Sequence, residues 1–193
     1  MVANSRSPDG KTEIWIEPIR SEGIAMGTAQ IRSVKSQKIL STFEWSGFGD
    51  HLSSDNPDPA FTVFWRPDCK FFAIKYEETR GWMTGQIFGV HKNGQWTEVG
   101  LPKDDYDDAI KKLAGVSEFY GKGCDVPERW LSNGDLNLDF ADRNIIYDHE
   151  DMFKEYTVTL GVADQKGQPL LMAKIVSVKQ KPEAETEREL QAQ

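Results

Sequence analysis

The sequence predicts a mainly β protein: antiparallel, blade-like sheets with one short α-helix. Three observations predict it. The phrase "SPDGK" (Ser7 to Lys11) returns as "RPDCK" (Arg66 to Lys70), and each copy runs into a strand pattern. Compact turn signals, among them Asn93-Gly94 and Ser132-Asn133-Gly134-Asp135, separate apolar stretches that alternate with period two. Only one stretch, near residues 105–114, carries a helical pattern with a stop signal.

The first unit spans about 7–46. Pro8 presets the backbone for the second place of a turn, Asp9 can accept a hydrogen bond from its own backbone two residues on, and Gly10 suits a positive φ. In "TEIWIEP", Ile14 and Ile16 alternate with Glu13, Trp15 and Glu17. A Gly-containing connector leads to "QIRSV", the turn "KSQK" and the strand "ILSTFEW". A polar, proline-containing linker, Gly49 to Ala60, follows.

The second unit, about 60–102, repeats this order. Phe72, Ile74 and Tyr76 share one strand face, the connector "TRGWMTG" precedes "QIFGV", and "HKNG" turns into "QWTEVGLP". Cys69 replaces the glycine of the first copy, so this turn is expected to be less demanding or differently shaped. Asp104 or Asp105 then caps a helix over about Asp105 to Leu113, with Tyr106, Ile110 and Leu113 on one face and Gly115 just past its end. A fainter third unit, about 129–179, opens at "RWLSNGDLNLDF", where Leu136, Leu138 and Phe140 alternate. A polar connector then leads to a long hairpin, Tyr156 to Lys179, turning at "DQKG". Residues 1–180 thus read as a single β-rich domain. The charged stretch 181–193 reads as a flexible tail.

The Trp-x-Pro-Asp-type turn before an aromatic-rich strand resembles the repeat of TolB-like and WD40-like β-propellers. "FWRPDCKFFAI" matches it through Trp65, Pro67, Asp68 and Lys70, and "WLSNGDLNL" matches more loosely through Trp130, Gly134 and Asp135. The resemblance extends to short bacterial proteins with two or three such repeats, and covers about residues 7–178. It implies a fold and is nearly silent on activity. Propellers close with about four to eight blades. Three units therefore imply a partial propeller, a β-sandwich of blade-like sheets, or an assembly completed by other copies.

The formal net charge of -8 argues against nucleic acid, whose phosphates require clustered Lys and Arg, and against anionic membranes. No apolar run approaches the ~20 residues that span a bilayer, so membrane insertion is not expected. As written, the chain reads as cytoplasmic; with a leader removed it would be periplasmic or secreted. Cys69 and Cys124 lack a CxxC spacing, and two unpaired thiols are expected rather than a bridge. No catalytic motif stands out: there is no GxSxG elbow, no phosphate-cradling glycine loop and no HxxxH or HxH pair among His51, His91 and His149. The Asp cluster at 104–108 misses the EF-hand pattern, so neither metal nor cofactor is expected.

The expected role is therefore a non-catalytic binding or scaffolding module, with a protein or a glycan as partner. Its surface would be the connectors Glu77 to Thr84 and Gly47 to Pro59. Trp82, Arg80, Tyr76, Trp45 and His51 are the candidate binding residues, because loop aromatics can stack on sugars or anchor proteins. Trp65, Trp96 and Trp130 are expected to be buried. Two alternatives stand beside this reading: a small carbohydrate-active hydrolase using Asp and Glu, and a structural subunit that completes a β-assembly as a homo-oligomer through open sheet edges.

Overall fold

Four turns share one local design. Gly10 N–H donates to the Ser7 carbonyl at 2.8 Å, Cys69 N–H to Arg66 at 2.9 Å, Gly94 N–H to His91 at 2.8 Å and Gly134 N–H to Leu131 at 2.9 Å. The residue before each of these, Asp9, Asp68, Asn93 or Asn133, turns its side-chain oxygen back to accept the N–H two residues on, at 3.0–3.2 Å. The fourth residue of every turn is left-handed, with φ of 71°, 58°, 83° and 89°. In the two Asn-Gly turns only the glycine has positive φ, so these are three-residue loops with a bulged glycine rather than two-residue hairpins. Cys69 corrects the sequence expectation: its turn keeps the left-handed geometry and accepts a side chain there. The Arg66 guanidinium, bonded to both Asp68 oxygens at 2.9 and 2.7 Å, clamps that turn. A left-handed non-glycine residue persists where the surrounding bonds over-determine it.

These turns punctuate a mainly β, antiparallel fold. The structure is a computed structural model that describes residues 5–21, 24–48, 61–79, 82–115, 122–143, 154–162 and 171–182. A first meander comprises β1 (Thr12–Ser21), β2 (Ile24–Ser33) and β3 (Ile39–Phe48). A second comprises β4 (Thr62–Trp65), β5 (Phe71–Thr79), β6 (Trp82–Val90) and β7 (Trp96–Gly100). A third comprises β8 (Lys122–Trp130), β9 (Leu136–Arg143), β10 (Lys154–Val162) and β11 (Leu171–Gln180). Two compact units separate: one holds β1 to β7, the other α1 (Lys103–Ala114), β8 to β10 and β11 beyond its first residue.

Strand β8 starts ahead of the expected third unit. Its Pro127 is accommodated because the register shifts between Pro127 and Arg129, a bulge where a missing N–H costs little. The helix starts two residues earlier than its acids suggested. Pro102 is the N-cap and makes no side-chain capping bond, so Asp104 and Asp105 lie inside the first turn. Gly115 ends the helix as expected, left-handed at φ 69° and donating to the Lys111 carbonyl. Leu113, expected on the apolar face, is 50% exposed.

In the first unit the alternating residues build one aromatic-rich core. Ile14, Ile31 and Trp45 from the first meander pack with Val63, Phe72, Ile74, Phe88 and Trp96 from the second. Phe43 and Phe72 both lie against Phe88, with ring centroids 4.3 and 5.0 Å apart, and Trp65 meets Trp96 edge-on at 5.9 Å. Strand β5 departs from simple alternation: Phe71 and Ala73 are as buried as Phe72 and Ile74, so both of its faces are covered. In the second unit, Leu136, Leu138 and Phe140 lie opposite Leu160, Val158 and Tyr156, and all six are buried. Burying such side chains contributes roughly 1.5–3 kcal/mol each, enough to fix the register of β9 on β10.

Candidate functional site

Of the five sequence-nominated residues, Trp45 and Tyr76 have described side chains. Trp45 and Tyr76 are core residues, 5% and 7% exposed. Trp45 meets Phe61 edge-on at 4.7 Å, and Phe61 stacks on Tyr76 at 5.6 Å. Their rings are used in packing, because each sits on the inward face of its strand. Arg80 and His51 lie outside the described residues, as do the connector between β5 and β6 and the linker 49–60. Trp82 is described through its backbone alone, at the start of β6 opposite Thr79. Cys69 is a free thiol. Among the described residues the exposed large aromatic is Trp15, at 46%, with the Arg32 guanidinium 4.7 Å over its ring and Arg32 Nε donating to Gln30 Oε1 at 2.8 Å. Its place between Glu13 and Glu17 in the alternation was the signal for that outward face.

A more elaborate arrangement lies on the third meander. Since Leu136, Leu138 and Phe140 take the core face of β9, Asn137 and Asp139 take the other. The register sets Asn137 beside Thr159, and Asp139 beside Thr157, which in turn lies beside Lys179 of β11. Arg129 of β8 faces Asn137 from the other side. The result is a polar face crossing four strands. Arg129, Asn137, Thr157, Thr159 and Lys179 of this face, with Glu128, Leu131, Gln180, Lys181 and Pro182, line a cavity of about 630 Å³, within the range of small-ligand sites.

Lys181 organises one end of it. The sequence placed this residue at the start of a flexible tail; its side chain is only 5% exposed. Residues 177, 179 and 181 share a strand face, so Lys181 continues the polar row past the end of β11. Its ammonium lies 3.0 Å from Asp139 Oδ1 and 3.5 Å from Glu128 Oε1, donating a hydrogen bond to the latter. A buried ammonium requires such compensation. Nearby, Thr159 Oγ1 donates to Asn137 Oδ1 at 3.0 Å, which leaves the Asn137 amide N–H₂ oriented by that bond. Alternation made the polar face legible. The inward turn of Lys181 was not, because it depends on two carboxylates distant in sequence.

Among the described residues the lining holds hydroxyls, two amides, cations and Glu128, with neither His nor Cys. Thr159 is bonded to an amide, which cannot serve as a base. Among the described residues no three His, Cys, Asp or Glu side chains gather as a metal site. The described carboxylates with clear pKa shifts lie elsewhere, in the Pro-Asp turns. The Ser7 hydroxyl, at 2.7 Å, and the Lys11 amide draw the Asp9 carboxyl down to about 2. For Asp68, partial burial pushes upward, but the Arg66 guanidinium and the Lys70 amide outweigh it and hold the carboxyl below its ordinary value. Both acids are occupied in locking their own turns. Comparison of the chain with protein-family models, with curated proteins and with solved structures found no match.

Proposed function

We propose that the protein is a non-catalytic β-repeat binding module whose ligand occupies the polar groove of the third meander. One observation carries this reading: side chains from four neighbouring strands converge on one cavity, and its buried members are held in place by their own bonds. Such preorganisation lowers the ordering cost of binding. The blade-like reading of the meanders supports it. The second and third each set two long strands after a leading strand and a turn of the same design, and repeats of this kind present side chains from several strands to one ligand.

The hydrolase alternative meets a specific obstacle. Glu128 and Asp139 do converge, but on a single ammonium. A glycosidase needs one carboxyl free to carry and deliver a proton. Here both carboxylates act as ion-pair acceptors for Lys181.

The test is a ¹H–¹⁵N NMR titration with three probes: cellohexaose, a hexamer of galacturonic acid, and hexaglutamate. At least one is expected to shift amides of β9, β10 and the end of β11, with no new reducing ends or free amines appearing. Turnover of any probe, or shifts confined to other strands, would overturn the reading.

A further inference from the structure

We propose that the groove takes an extended acidic peptide lying across the strands, an inference that rests on the binding-module reading. Two cations flank the groove. Arg129 on β8 and Lys179 on β11 both line it and are both exposed. Neither forms an ion pair among the described residues, whereas Lys181, between two carboxylates, is already compensated. The strands that carry the two free cations are separated by three inter-strand steps, roughly 14 Å at about 4.8 Å per step, and the register offsets the two residues by two positions along the strands, so their Cα atoms stand roughly 16 Å apart, a span that the long Arg and Lys side chains can shorten. An extended peptide rises about 3.3 Å per residue, so acidic side chains four residues apart span roughly 13 Å and share one face.

The floor between the cations suits the rest of such a peptide. Asn137, Thr157 and Thr159 offer donors and acceptors at the spacing of neighbouring strands, which peptide groups of an extended chain can meet. Among the described residues no aromatic side chain lines the groove, so these residues offer a sugar ring no stacking platform. The whole chain carries -8. Its field repels long polyanions, so two well-placed carboxylates are favoured over a densely charged polymer.

The experiment is fluorescence anisotropy with a fluorescein-labelled peptide, Gly-Glu-Ala-Ser-Ala-Glu-Gly, and its twin carrying Gln for both Glu. The Glu peptide is expected to bind about tenfold more tightly than the Gln peptide. Arg129→Ala and Lys179→Ala should each weaken the Glu peptide by roughly three- to tenfold, and together erase the preference. Lys92→Ala, in a turn of the other unit, should change nothing. Raising NaCl from about 50 to about 300 mM should weaken the Glu peptide several-fold. Since both groove cations are exposed, the variants should fold, which circular dichroism checks. Equal binding of the two peptides, or a preference that survives in the double variant, overturns the proposal. If neither peptide moves β9 and β10 amides but cellohexaose or the galacturonate hexamer does, the ligand class fails and the binding-module reading stands. If no probe moves them, both fall.

Discussion

Replacing Lys181 by Met keeps most of the side-chain volume and deletes the ammonium. Asp139 Oδ1 is then left buried without a hydrogen bond, since its ion contact with Lys181 at 3.0 Å is its compensation among the described residues. Glu128 is left close to it. Removing one member of a fully buried ion pair costs about 3–5 kcal/mol. The Glu128 and Asp139 side chains are 33% and 22% exposed, so water recovers part of that loss and about 2–3 kcal/mol is expected. The assay is urea unfolding read by amide hydrogen exchange on β9 and β10, which reports the second unit. The triple variant Glu128→Gln, Asp139→Asn, Lys181→Met leaves no charge uncompensated and should return to within about 1 kcal/mol of the parent. A single variant as stable as the parent, or a triple variant no better than the single, would refute the reasoning. The first outcome would mean that the ammonium is not compensating buried charge.

Two further predictions concern the turns. Cys69→Gly should stabilise the protein by about 0.5–1 kcal/mol: relief of a left-handed side chain is worth about 1–2 kcal/mol, and glycine's greater freedom in the unfolded chain takes back about 0.5–1. Thermal unfolding checks this, and a loss of stability would show that the Cys69 side chain contributes packing that the strain conceals. Asp9 has a folded pKa of about 2 against an ordinary 3.8. Its depressed value means that its contribution is present above pH 3.8 and fades as pH falls through about 2. A ¹³C titration of the Asp9 carboxyl should locate that midpoint, and Asp9→Asn should remove its share of the acid slope.

What could be read from the sequence was local. Pro8, Asp9 and Gly10 act within five residues, so their turn was legible before any tertiary contact was known. The same holds for Asn93-Gly94, although the loop turned out one residue longer than that dipeptide's shortest hairpin. Alternation in β1 and β9 was legible for the same reason. The errors lie where a distant partner decides. Trp45 and Tyr76 read as surface candidates because they adjoin connectors, yet Phe61 supplies the ring that draws both inward. Lys181 looked like the start of a tail because its two carboxylates lie 42 and 53 positions away.

The three meanders share a turn design and differ in the second face of the strand that follows that turn. In β1 that face carries Glu13 and Trp15; in β5 both faces are apolar and buried; in β9 it carries Asn137 and Asp139. A polar face needs no ligand to justify it if its side chains simply meet water. That account fits Arg129 and Lys179, which are exposed. It does not fit Asn137 at 7% or Lys181 at 8% exposure. Burying an amide and an ammonium costs free energy that a solvated face never incurs, and hydrophobic residues of similar size would stabilise the sheet at least as well. Retaining them makes sense if their donors and charges are held ready for something that enters the groove. The face that varies between the meanders is therefore where function should be sought.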